Sequence, residues 1–238
     1  MLTDFHNHFL PHIDDGAETA AVSARICDYS WAQGIKRIIA TPHFYPEKES
    51  VKDFLRRRSN AYSSYRKYAS AFASLTIQLG AEIALSEGIS LIDNFDKLTI
   101  ARSPYIFIEL PVFQFDKWIF SELNCILYRH KFIPIFSNIE RYQIAYPSEA
   151  FESLLKTPKA IFQINTRSLL NQKTGLIIKD LLRKNRMVLF GSNAHNMNSR
   201  APEWSVARER LISLLGNTQY NILVFQNNAF LNPKMAKK

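Results

Sequence analysis

Two histidines stand one residue apart near the N-terminus, in Asp4-Phe5-His6-Asn7-His8. Other reactive residues follow at intervals: Asp14-Asp15-Gly16, His43 in Ala40-Thr41-Pro42-His43, Glu82 in Gly80-Ala81-Glu82-Ile83, and Glu109. The runs Ser137-Asn138-Ile139-Glu140-Arg141 and Gly191-Ser192-Asn193-Ala194-His195 complete the set. Imidazoles and carboxylates together suit Mn²⁺, Zn²⁺ or Fe, and a glutamate can bridge two ions. In a strand His6 and His8 point to the same face, because the side-chain period is two, and can share one ion. No single residue here is diagnostic; the set as a whole points to a metal centre. Of Asp14 and Asp15, one reads as a helix-start turn and the other as a carboxylate ligand, and both assignments stay open on spacing alone. His12 reads as a loop residue, and His130, in Tyr128-Arg129-His130-Lys131, as a cation near the last carbonyls of a helix.

These residues need a frame that brings them together. Short runs rich in Ile, Val and Phe read as strands buried on both faces: Leu2–His6, Arg37–Thr41, Thr76–Leu85, Tyr105–Leu110, Ile133–Ile139, Ala160–Ile164 and Met187–Gly191. Helices are expected at Thr19–Gln33, Val51–Ser74, Lys117–Lys131, Ser148–Leu155, Gly175–Lys184 and Glu203–Leu215, the first stopping before Gly34. Seven strands alternating with helices predict an α/β barrel, or else an open doubly wound sheet. Both architectures gather chemistry at the C-terminal strand ends, where four of the six histidines fall.

The 238 residues, 47% hydrophobic, with no Gly/Ser/Pro-rich linker, predict a single domain over residues 1–238. No apolar run reaches the roughly 18 residues of a membrane span, and no basic segment precedes an apolar one at the start. Cys27 and Cys125 lack metal or disulfide spacing, so a cytoplasmic, reducing setting is expected. The net charge of +9 is scattered; its densest cluster, Arg56-Arg57-Arg58 with Arg66 and Lys67, reads as a solvated helix face. No nucleic-acid-binding signature accompanies it, and no nucleic-acid partner is expected.

Taken in order, Asp4-Phe5-His6-Asn7-His8, Ile13-Asp14-Asp15-Gly16-Ala17, Ala40-Thr41-Pro42-His43, Gly80-Ala81-Glu82, Ile139-Glu140-Arg141-Tyr142 and Ala194-His195-Asn196 resemble the motifs of the PHP-domain (polymerase and histidinol phosphatase) proteins. The nearest branch is that of the bacterial tyrosine-protein phosphatases of capsule and exopolysaccharide biosynthesis. The resemblance implies a distorted seven-stranded (β/α) barrel and one to three divalent transition-metal ions, often Mn²⁺. It implies hydrolysis of phosphotyrosine on the tail of a membrane-associated kinase. Carried over by position, His6, His8 and a bridging Glu82 hold one ion, and Asp15, His43 and His195 another. Glu82, Glu109 and position 138 surround a third, and Arg141 grips the phosphate.

Two positions depart from that pattern. Asn138 stands where the family usually has histidine, and Asn193 where it usually has aspartate. Neutral amides are weaker donors than the groups they replace, so fewer than three well-held ions and slower turnover are expected. Two further readings follow: a pseudo-phosphatase that binds phosphotyrosine tails without hydrolysis, and a phosphoesterase for a small molecule. A cysteine phosphatase is not indicated, since neither Cys27 nor Cys125 has an arginine six residues on.

Overall fold

The computed structural model describes residues 2–69, 74–112 and 115–231. Parallel strands alternate with helices. β1 (Leu2–Asn7) is followed by α1 (Ala20–Ala32), β2 (Ile35–Ala40), β3 (His43–Phe44) and α2 (Val51–Arg66). Next come β4 (Thr76–Leu79), β5 (Glu82–Ala84), β6 (Tyr105–Glu109), α3 (Trp118–Asn124) and β7 (Ile133–Phe136). Short α4 (Tyr142–Ala145), α5 (Ser148–Leu155), β8 (Ile161–Asn165), α6 (Gln172–Arg183), β9 (Val188–Gly191) and α7 (Trp204–Phe230) complete the order.

The strands form two parallel sheets, β1-β2-β4 and β3-β5-β6-β7-β8-β9. They meet where Thr41-Pro42 separates β2 from β3 and Gly80-Ala81 separates β4 from β5. Gly80 N donates to Ala40 O (2.8 Å) and Glu82 N to Pro42 O (3.0 Å) across that junction. Hence the run Thr76–Leu85 is two strands rather than one: proline cannot donate to a ladder, and the pairing steps from one sheet to the other there. At the far edge β9 approaches β1 through Asn193 N→His6 O (2.7 Å) and His8 N→Ala194 O (2.9 Å). The fold is therefore α/β with parallel sheets, split in two where a single seven-stranded barrel was expected.

Phe5, Ile39, Phe107, Ile135, Ile161 and Leu189, one from each of six strands, gather in an inner apolar cluster with Phe230 and Leu231 of the last helix and its end. A larger cluster fills the space between sheets and helices. Helix boundaries follow capping chemistry. The Thr19 hydroxyl accepts from Val22 N and that of Ser50 from Asp53 N. α2 ends at Arg66, short of Ser74; residues 70–73 of that expected helix lie outside the described ones. The stretch expected to be one helix, Lys117–Lys131, runs from α3 into a π-helical turn at Cys125–Arg129. Within α7 the helix expected to end at Leu215 does so at Gly216, whose φ of 77° is non-helical, and a second helical stretch follows it to Phe230. Its far half is held by the buried Arg37 guanidinium, which donates to Thr3 Oγ1 and to the carbonyls of Asn227 and Asn228. The expected loose end Lys234–Lys238 lies outside the described residues. Among those described, no helix is long and apolar enough to cross a membrane.

Candidate metal centre

The C-terminal strand ends deliver the reactive side chains to one rim. His6 and His8 arrive on β1 and just beyond it, and His43 and Glu82 sit side by side in register on β3 and β5. Glu109 ends β6, Asn138 follows β7, and Asn193 and His195 follow β9. His12 is exposed in its loop, and His130 bonds the Ser90 carbonyl (2.7 Å); neither joins the others.

Hydrogen bonds fix which nitrogen of each N-terminal imidazole is free. The Asn138 backbone N–H donates to Gln163 Oε1 (2.8 Å), so that atom must be the amide oxygen. His6 Nδ1 lies 3.0 Å from the same oxygen and therefore carries the proton. His8 Nδ1 faces Asp14 Oδ2 at 2.7 Å, and the Asp14 carboxylate also accepts from His43 N and Gly16 N. Asp14 is thus the buried orienting carboxylate, and Asp15 the one on the rim. Carboxylates and amides behind a ligand imidazole set its tautomer in this way. His6 Nε2 and His8 Nε2 then converge, 2.9 Å apart and 3.0 and 3.2 Å from Glu82 Oε2.

Acceptors this close need a positive charge between them. Without an ion a proton serves: burial works against it, but Asp14 and Glu82 raise the His8 imidazolium to about 10. Burial also opposes ionisation of Glu82, yet His6, His8 and His43 hold its carboxyl well below the usual range. Burial and, next, the Glu82 charge push Glu109 up to about 7. His43 Nδ1 lies 3.3 Å from Glu82 Oε2 and 3.5 Å from Glu109 Oε2. Burial lowers the His43 pKa, and that of His195 to about 4, so both are neutral near pH 7. His43 Nδ1 and Glu82 Oε1 are buried and have no hydrogen-bond partner among the described residues. Neutral imidazoles beside crowded carboxylates with idle lone pairs fit a divalent cation. Three groups bring ligand atoms within 4.8 Å of one another: His6-His8-Glu82, His8-Asp15-His43 and His43-Glu82-Glu109.

On the other flank His195 stacks on His8, with ring centroids 4.1 Å apart, and its Nδ1 is 3.3 Å from Asp15 Oδ2. That contact with His195 outweighs burial and keeps Asp15 well below the usual carboxylate range. Asn193 Oδ1 faces His195 Nε2 (3.0 Å) and accepts from Arg200 Nη2 (2.9 Å). Asn193 Nδ2 reaches towards Asn138 Oδ1 at 3.5 Å. Arg141 Nη1 stands 3.7 Å from Glu109 Oε1 on the open side. A cleft of about 320 Å³ opens beside Asp15 and His43, lined also by Tyr45 and Lys48.

The supporting frame was only partly visible in the sequence. Asp4, fully buried, accepts from Ser192 N and Oγ, Asn7 Nδ2 and Trp204 Nε1, tying β1 to the loop after β9. A Cβ on Gly191 would collide with that of His6 and lie 2.6 Å from His6 N, so only glycine allows this approach. Arg57 donates to the Ile13 carbonyl, just before the aspartates, and Arg58 to Gly80 O, so two of the four arginines expected on a solvated face are anchors. Asp4 and Gln163 are polar residues inside apolar strands, a signal that could have exposed them. Arg200 carries no such signal.

Parallel strands that bring four imidazoles and three carboxylates to one rim define an α/β protein of the kind whose ligands sit beyond the strand ends. A family model of capsular polysaccharide synthesis proteins, CpsB/CapC, matches residues 2–231, and the chain belongs to that family. The tyrosine-protein phosphatase CpsB of Streptococcus pneumoniae is 25% identical over 241 residues, covering 95% of this chain and 96% of that protein. The tyrosine-protein phosphatase YwqE of Bacillus subtilis is 26% identical over 211 residues, covering 84% and 79%. A crystal structure from work on YwqE of B. subtilis and CpsB of S. pneumoniae, described as metal-dependent tyrosine phosphatases, aligns with a TM-score of 0.75. Its identity is 22%, over 97% of this chain and 94% of that one. The histidinol phosphate phosphatase of Lactococcus lactis, solved with zinc, L-histidinol and phosphate, aligns at 0.56 with 16% identity, over 92% and 93%.

Proposed function

We propose that the protein is a metal-dependent phosphoric monoester hydrolase, a protein-tyrosine phosphatase acting on the phosphotyrosine tail of a membrane-associated kinase in capsule or exopolysaccharide regulation. The observation that carries this reading is the convergence of His6 Nε2, His8 Nε2 and Glu82 Oε2 within 3.2 Å, with their outer atoms already engaged. Membership of the capsular family and the names of its relatives support the substrate class. The same reading takes residues 1–238 as one cytoplasmic domain. It treats the two sheets, joined at Pro42 and Gly80 and bonded from β9 to β1, as one distorted seven-stranded barrel.

Residues His6, His8, Asp15, His43, Glu82, Glu109 and His195 are the candidate ligands, with Asn138 and Asn193 as neutral neighbours, and Mn²⁺ is the proposed ion. When bound, such ions neutralise phosphoryl oxygens and acidify water. The chain itself supplies the grip. Arg141 and Arg200 place guanidiniums on either side of the rim, where each can bind phosphoryl oxygens bidentately. The Tyr45 ring, stacked on His43 with centroids 5.3 Å apart, offers an aromatic wall for the phenol ring of a substrate.

The test is phosphate release from a phosphotyrosine peptide with Mn²⁺ and with chelator. Release should require the metal. Arg141→Lys should lower kcat/KM roughly 10–100-fold, the loss of one charge-assisted bond of about 1.5–3 kcal/mol. A wild type inert at saturating Mn²⁺, beside an active Asn138→His, Asn193→Asp double variant, would replace hydrolysis by phosphotyrosine binding. Faster turnover of histidinol phosphate than of peptide would move the substrate to a small molecule.

A further inference from the structure

We propose that this chain holds two divalent ions, one on His6, His8 and Glu82 and one on His43, Glu82 and Glu109, and that the position the family resemblance gives to Asp15, His43 and His195 is closed. The proposal rests on the metal-centre reading above and concerns how many ions that centre takes and where they lie. A neutral imidazole presents one lone pair, and this fixes the count. His8 Nδ1 is committed to Asp14, so the groups His6-His8-Glu82 and His8-Asp15-His43 compete for His8 Nε2. The groups containing His43 likewise compete for its single lone pair. The two groups that can be filled together share only Glu82, whose two oxygens let it bridge.

Which partner His43 takes is decided by its surroundings. Its Nδ1 makes no hydrogen bond among the described residues and lies 3.3 Å from Glu82 and 3.5 Å from Glu109, whereas its Nε2 is 3.6 Å from an Asp15 side chain that is 63% exposed. An ion at Asp15 and His195 would need His43 set free by an imidazole beside Glu82 and Glu109, and at position 138 the chain offers an amide. Asn138 offers there only a neutral amide oxygen, which faces Asn193 Nδ2 at 3.5 Å, a weaker donor than an imidazole lone pair. Beyond it the Asn193 oxygen is taken by Arg200, whose guanidinium also stands 3.4 Å from Asp15 Oδ2. That fixed positive charge repels an ion placed between Asp15 and His195.

The experiment is elemental analysis of protein saturated with Mn²⁺ and dialysed. The expected content is two ions per chain in the wild type and three in the Asn138→His, Asn193→Asp double variant. In the wild-type background Glu109→Gln should leave one ion and Asp15→Asn should leave two. This second pair decides the matter even if the double variant fails to fold. Three ions in the wild type, or a loss on Asp15→Asn with none on Glu109→Gln, would overturn the proposal. No bound Mn²⁺ in any form would overturn the metal-centre reading beneath it.

Discussion

Gln163 shows how much a neutral side chain can decide. Its amide oxygen, oriented by the Asn138 backbone, puts the proton of His6 on Nδ1 and leaves Nε2 for the rim. Gln163→Leu should therefore weaken Mn²⁺ binding by about 10–100-fold in a calorimetric titration, while Gln163→Glu, which keeps an acceptor, should stay within a few fold. Wild-type affinity in the leucine variant would refute the tautomer argument. Glu140 makes a different prediction. Burial pushes its carboxyl from 4.5 up to about 6, although Ser168 Oγ and Asn165 N donate to it, and its Oε2 has no hydrogen-bond partner among the described residues. A folded-state pKa above the unfolded one gives stability that is complete below pH 4.5 and lost as pH rises through about 6. Glu140→Gln should thus raise stability at pH 7.5 by up to about 2 kcal/mol and leave it unchanged near pH 4. Equal effects at both pH values would show that the charge is not the cause.

The elements carry the site by pressing backbones together. Gly191→Ala should cost about 3 kcal/mol in urea unfolding, since its Cβ has no room beside His6 and both partners are backbone-anchored. An unchanged midpoint would mean that β9 can retreat from β1. Much of this arrangement was legible in the sequence. Brief apolar runs located the strands, and the helix starts expected at Thr19 and Val51 coincide with caps made by the Thr19 and Ser50 hydroxyls. Where the reading stopped short, non-local contacts had overridden local signals. Gly216 does end a helix, as the sequence suggests, but a second helical stretch, with Leu223 and Phe230 buried, follows it directly and was not foreseen. The arginines of α2 look solvated, yet Arg57 and Arg58 reach carbonyls of distant loops. The aspartate pair could be separated only by geometry: Asp14 faces inward because His8 Nδ1 and two backbone N–H groups converge on it.

At the scale of the molecule, metal binding and stability are linked, because ligands from distant strands meet only in the folded state. Mn²⁺ at about 100 times its Kd should add ~2.7 kcal/mol, a rise in Tm of roughly 5–10 °C that chelator reverses. A Tm indifferent to Mn²⁺ would count against a preformed centre. Asp4 sets the order in which that centre can come into being. All five residues proposed to hold the two ions lie within the first 109 positions, but the carboxylate that steadies their strand waits for Ser192 and Trp204. At about 5–20 residues per second, a ribosome spends several seconds between finishing the ligands and finishing the clamp. A growing chain thus carries every donor atom without the frame that aligns them. The alignment of β1 therefore depends on residues that are made last.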